Sequence, residues 1–150
     1  MKKIILGLFL ILGAISFAAP KFVNMTKVKN AGYVIKNERE DILTMATSDD
    51  DSAIIISFST INMSSKEISD LLKSNALRDS GNFIATLDNN RAYINEFEAQ
   101  GFYSYMIVPK KEKVKNQHTY ATYVSSKKLS KNDLSKITNA ILDEAESYIK

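Results

Sequence analysis

The residues best suited to chemistry are aromatic and carboxylate side chains crowded into the middle of the chain. Tyr93, Tyr103, Tyr105, Tyr120 and Tyr123 fall within a short stretch, and Glu96 and Glu98 alternate between the first two. Alternation puts Tyr103, Tyr105 and Ile107 on one side of an extended segment and Phe102, Met106 and Val108 on the other, so that segment is apolar on both faces. Either both faces are covered or one displays aromatic rings to solvent. An exposed contiguous apolar patch marks a contact surface, which makes Tyr103, Tyr105 and Tyr123 a candidate ligand platform. Tyrosine also suits a half-buried pleated surface whose hydroxyls reach water. Glu96 and Glu98 share one side of their strand, where two carboxylates can exchange protons with a ligand or simply face water.

The other reactive groups are sparse. His118 is the only histidine, which excludes a multi-histidine metal centre within the chain. No serine stands in a Gly-x-Ser-x-Gly elbow, so His118 reads as an exposed residue at a strand start. Discovery of it buried beside a carboxylate and opening into a pocket would favour a hydrolase or isomerase. Asp49-Asp50-Asp51 lacks the alternate spacing, glycine and closing glutamate of a calcium loop and reads as a turn. There is no glycine-rich phosphate loop, and no cofactor or metal is expected.

Charge gathers in one place. From Lys110 to Lys136 there are eight lysines against Glu112 and Asp133. Lys110, Lys111, Lys113 and Lys115 form a basic loop that could rest on an anionic envelope surface. The cluster holds no arginine, so it lacks the bidentate fork that specific phosphate recognition uses, and no specific nucleic acid is expected.

Local patterns supply the elements that must position these groups. Ser64 is placed to cap a helix and Glu67, three residues on, completes a capping box; Met63 can staple onto Ile68, and Ile68, Leu71, Leu72 and Ala76 follow at helical spacing. Ser130 and Asp133 repeat the device before Leu134, Ile137, Ile141, Ala145 and Tyr148. Asp41 to Thr47 and Ala53 to Ile61 read as a hairpin around the aspartates, with further extended residues near Gly32 to Ile35. Asn82 to Asp88, Arg91 to Glu98, Phe102 to Val108 and His118 to Ser125 read as a four-strand meander, turning at Asn89-Asn90 and at Gly101. The expected class is α+β, in the order β-β-(β)-α-β-β-β-β-α. Its antiparallel sheet combines an N-terminal hairpin with the meander, and the two amphipathic helices are expected on one face.

The start of the chain sets the compartment. Lys2 and Lys3 precede an apolar run from Ile4 to Phe17, and small residues at Ser16 and Ala18 suit signal peptidase, so residues 1–18 are expected to be a leader cut after Ala18. The run is shorter than the ~20 residues a helix needs to cross a bilayer. Without Lys2 and Lys3 the chain holds 18 basic against 17 acidic side chains, a formal charge of +1 rather than +3. Residues 19–31 read as a flexible lead-in and 32–150 as one domain without cysteine, hence without disulfides. The expectation is a small exported bacterial protein, periplasmic or secreted, with no membrane span after processing. It would be a non-enzymatic binding or envelope-accessory protein meeting an envelope or extracellular partner. The alternatives are a small hydrolase or isomerase, and an interaction protein contacting anionic surfaces through the lysine loop.

Overall fold

The computed structural model describes residues 19–79 and 81–150; the expected leader and its cut after Ala18 lie outside them. In chain order the elements are α1 (Met25–Asn30), β1 (Val34–Arg39), β2 (Ile42–Ser48), β3 (Ser52–Thr60), α2 (Ser65–Arg78), β4 (Asn82–Asp88), β5 (Ala92–Ala99), β6 (Phe102–Pro109), β7 (Gln117–Ser125) and α3 (Lys131–Ser147). The seven strands form one sheet in the order β1-β2-β3-β7-β6-β5-β4, with every pairing antiparallel. The α+β class and the order from β1 to α3 are those the sequence patterns imply; the short α1 ahead of them is additional.

Pleat alternation divides the side chains between two faces. One carries Leu43, Met45, Ile56, Phe58, Ile94, Tyr105, Ile107 and Ala121, packed against Leu134, Ile141, Leu142 and Ala145 of α3 and Tyr148 just beyond its end. Each large aliphatic side chain fully buried there contributes ~1.5–3 kcal/mol. The other face belongs to α2, which packs on β5 and β6; Asn95 Nδ2 donates to Ser69 Oγ at 3.0 Å. The two long helices therefore lie on opposite faces, not on one. The reason is the two-sided apolar character of β6: Tyr105 and Ile107 need cover on one side and Val108 on the other, and all three are buried.

The segment 19–31 is also built into the domain and is not a lead-in. Asn24 caps α1 by accepting from Lys27 N, and Phe22, Val23 and Val28 are core residues. The chain ends clasp each other: Val23 bridges Ile149, Asn24 N donates to Tyr148 O at 2.7 Å and Lys150 N donates to Phe22 O at 2.9 Å. Apolar residues too few to pattern a strand or long helix can still cover a core edge.

Turn chemistry differs at one place. Asn89 and Asn90 do not adopt positive φ; with Arg91 they form a three-residue connection in which Asn89 Oδ1 accepts from Arg91 N at 2.8 Å. The two-residue turn with both positions at positive φ is Gln100-Gly101, at 52° and 81°. The aspartates behave as expected: Asp49 Oδ1 accepts from Asp51 N at 2.9 Å and from Ser52 N at 2.7 Å, and these bonds hold its carboxyl below the usual range.

Candidate functional site

Strand register gathers Tyr103, Tyr105 and Tyr123 with Glu96 and Glu98 on the α3 face, while Tyr93 and Tyr120 fall on the other. Glu98 lies opposite Tyr103, Glu96 opposite Tyr105, and Tyr105 opposite Tyr123 on the next strand. The Tyr105 and Tyr123 rings are 6.4 Å apart. Tyr105 is completely buried, however, and its hydroxyl accepts from Leu129 N at 2.8 Å, anchoring the chain just before α3. Burial pushes its phenol pKa up; the bond from Leu129 N opposes this and the charge of Glu96 adds to it. Tyr103 and Tyr123 are partly buried against the same core. The three rings are thus packing residues at the edge of a covered layer, and an open sheet platform does not exist there.

Glu96 is the unexpected member of this cluster. The residue is only 3% exposed; Tyr105 hydrogen-bonds to its carboxylate, and Oε1 has no further hydrogen-bond partner among the described residues. The nearest cation is Lys128 Nζ, 3.8 Å from Oε1 on a side chain that is 54% exposed. That is an ionic approach beyond hydrogen-bond reach.

Beside this cluster, a groove of about 710 Å³ runs between the β4–β5 hairpin and the first half of α3. Leu87, Ile94 and Leu134 give it an apolar lining, while Lys131, Asn139 and Arg91 supply polar groups. Its origin is topological. β4 is one of the two edge strands and is mostly exposed, so the space between it and α3 is left partly open. Arg91 is tied down by Asp143 at 2.7 Å and more loosely by Glu146 at 3.5 Å. Asn139 Oδ1 is buried without a hydrogen-bond partner among the described residues. Sequence reasoning missed Asn139 because a lone polar residue flanking a helix's apolar stripe carries no signal until the opposing strand is placed.

The lysine loop and His118 lie at the same end of the sheet as the β4–β5 turn, where Ala92 pairs with Pro109 and Lys110 N donates to Arg91 O at 2.8 Å. His118 is 3% exposed, which overturns its reading as an exposed strand-start residue. The loop folds back over it: Val114 bridges Gln117, Asn116 takes a φ of 66°, and Glu112 Oε2 accepts from Asn116 N at 3.2 Å. The same Oε2 lies 3.0 Å from His118 Nε2, at an angle that does not make a hydrogen bond. The recess they share with Ser65 measures about 40 Å³, room for a few waters.

The loop's lysines are partly neutralised within the chain. Lys110 binds Asp88 at 2.7 Å and Lys113 binds Glu146 at 3.1 Å; Lys111 and Lys115 stand exposed. Among the described residues no three His, Cys, Asp or Glu side chains are grouped to hold a metal ion, and no helix is long and apolar enough to cross a membrane. No family model, curated protein or solved structure matches the chain.

Proposed function

We propose that the chain is an exported bacterial binding protein without catalytic activity, acting in the periplasm or outside the cell, and that its ligand sits between the β4–β5 hairpin and α3. The observation that carries this reading is the groove itself. At about 710 Å³, with Leu87, Ile94 and Leu134 as apolar lining and a few polar groups around them, it matches the ~300–1,000 Å³ and the mixed lining of small-molecule sites. Native mass spectrometry of protein recovered from its exported fraction tests both halves. The expected mass begins after Ala18 and carries a small-molecule adduct that Ser135→Trp, which fills the groove from a half-buried position, removes. An intact Met1 on cytosolic protein overturns export; an adduct unchanged by Ser135→Trp overturns the groove.

A small hydrolase is the second reading, favoured by His118 being buried and 3.0 Å from Glu112 in a recess shared with Ser65. Size weighs against it, because about 40 Å³ admits water and no substrate beside the imidazole. Turnover of p-nitrophenyl acetate above background that disappears in His118→Gln would reverse the order of the two readings. The lysine loop as an anionic-surface contact stands third, since Asp88 and Glu146 already engage two of its four lysines.

A further inference from the structure

We infer that His118 Nε2 and Glu112 Oε2 are the two protein ligands of a divalent transition-metal site beneath the β6–β7 loop, with water completing the coordination shell. This site is separate from the groove and does not depend on it.

The decisive atom is His118 Nε2. Its side chain is 3% exposed and lines the recess, yet no group among the described residues hydrogen-bonds to Nε2. A buried polar atom without a partner costs free energy. Glu112 Oε2 stands 3.0 Å away, near enough for a hydrogen bond but off the direction in which Nε2 would donate one. An imidazole lone pair and a carboxylate oxygen at that distance repel each other unless a cation serves both. A shared proton lies close to the line joining its two atoms, since a hydrogen bond weakens steeply below ~120°, and the pair does not meet that requirement. A metal ion binds from the apex of a triangle instead. With bonds of ~2.0–2.1 Å to each ligand, donors 3.0 Å apart subtend ~90–100° at the ion. That angle suits the octahedral or tetragonal shells of Ni²⁺ and Cu²⁺ better than the tetrahedral shell of Zn²⁺, and both ions accept imidazole.

The surroundings hold the two ligands in place. His118 is fixed at the start of β7 by its pairing with Ser59 of β3. Glu112 Oε2 accepts from Asn116 N at 3.2 Å, which orients the carboxylate and still leaves it lone pairs for an ion. Charge in the lining is balanced, with Lys111 and Lys113 set against Glu112 and Glu146, and Glu146 already engages Lys113 at 3.1 Å. No net positive wall therefore opposes a dication. A recess of about 40 Å³ excludes an organic ligand but admits an ion with a few waters. Structural metal sites use four protein ligands, so with two the ion is expected to be exchangeable.

Tag-free protein titrated with Ni²⁺ by calorimetry, and with Cu²⁺ by electron paramagnetic resonance, tests this. The expected result is one strongest site per chain, a Cu²⁺ spectrum with coupling to an imidazole nitrogen, and no heat from Mg²⁺. His118→Gln is expected to abolish the imidazole coupling. Because His118→Gln alters a buried side chain and can disturb folding, Glu112→Gln at a partly exposed position provides an independent arm. It keeps an oxygen for Asn116 N and is expected to weaken Ni²⁺ at least tenfold. Failure of both ions to bind, a Cu²⁺ spectrum unchanged by His118→Gln, or Ni²⁺ affinity unchanged by Glu112→Gln overturns the site.

Discussion

Gln100 occupies a left-handed backbone conformation that costs most L-residues ~1–2 kcal/mol and that asparagine tolerates better. Gln100→Asn is therefore expected to stabilise the protein by ~0.5–1 kcal/mol, read as a higher urea midpoint at unchanged slope. Tyrosine ionisation gives a second prediction. Tyr33 and Tyr148 both donate to Glu144 Oε1, at 2.9 and 2.8 Å. Burial first, and the Glu144 hydrogen bond and charge next, hold both phenols protonated well above the ordinary value of 10.0. The unfolded chain releases these protons near pH 10 while the folded one keeps them, so the stabilisation is complete below that pH and declines above it. Melting temperature should fall as pH rises beyond 10.0, and less steeply in Glu144→Gln.

Elements show which parts of the structure short sequence signals determine. The Ser64–Glu67 box closes as its spacing dictates: Ser64 Oγ accepts from Glu67 N at 3.2 Å and Glu67 Oε2 accepts from Ser64 N at 2.7 Å. Ser64→Ala is expected to cost ~1 kcal/mol in denaturant unfolding. At α3 the shorter Asp133 takes the Ser130 hydroxyl at 2.7 Å, so only half of the device is reproduced. Caps and strand alternation were legible because each involves neighbours within a few residues. The face each helix would choose was not, since both stripes are amphipathic and only the two-sided β6 hinted that opposite sides needed cover. His118 was misread for a similar reason: its burial depends on Glu112 and Asn116 folding the loop back over it. Tyr103, Tyr105 and Tyr123 were correctly grouped, but their exposure depends on α3, whose path over them no local pattern encodes.

At the scale of the molecule, the candidate groove was illegible because its two walls, a hairpin and a helix, are far apart in sequence and meet only after the sheet is complete. The sheet itself has a particular construction. β1 to β3 form one ribbon of successive hairpins and β4 to β7 another, and the pairing of Ser52–Thr60 with Gln117–Ser125 joins them at the centre. Each ribbon closes through contacts local in the chain, whereas the central pairing must wait for a long loop to close, which makes it the slow step of assembly. A ribbon waiting for its mate can accept the equivalent ribbon of another molecule, with the connection through α2 as the crossing arm. Refolding at high concentration should then yield a reciprocal dimer whose circular dichroism equals that of the monomer. Dilution alone should return it to single chains only slowly, because the interlocked halves must first be unzipped.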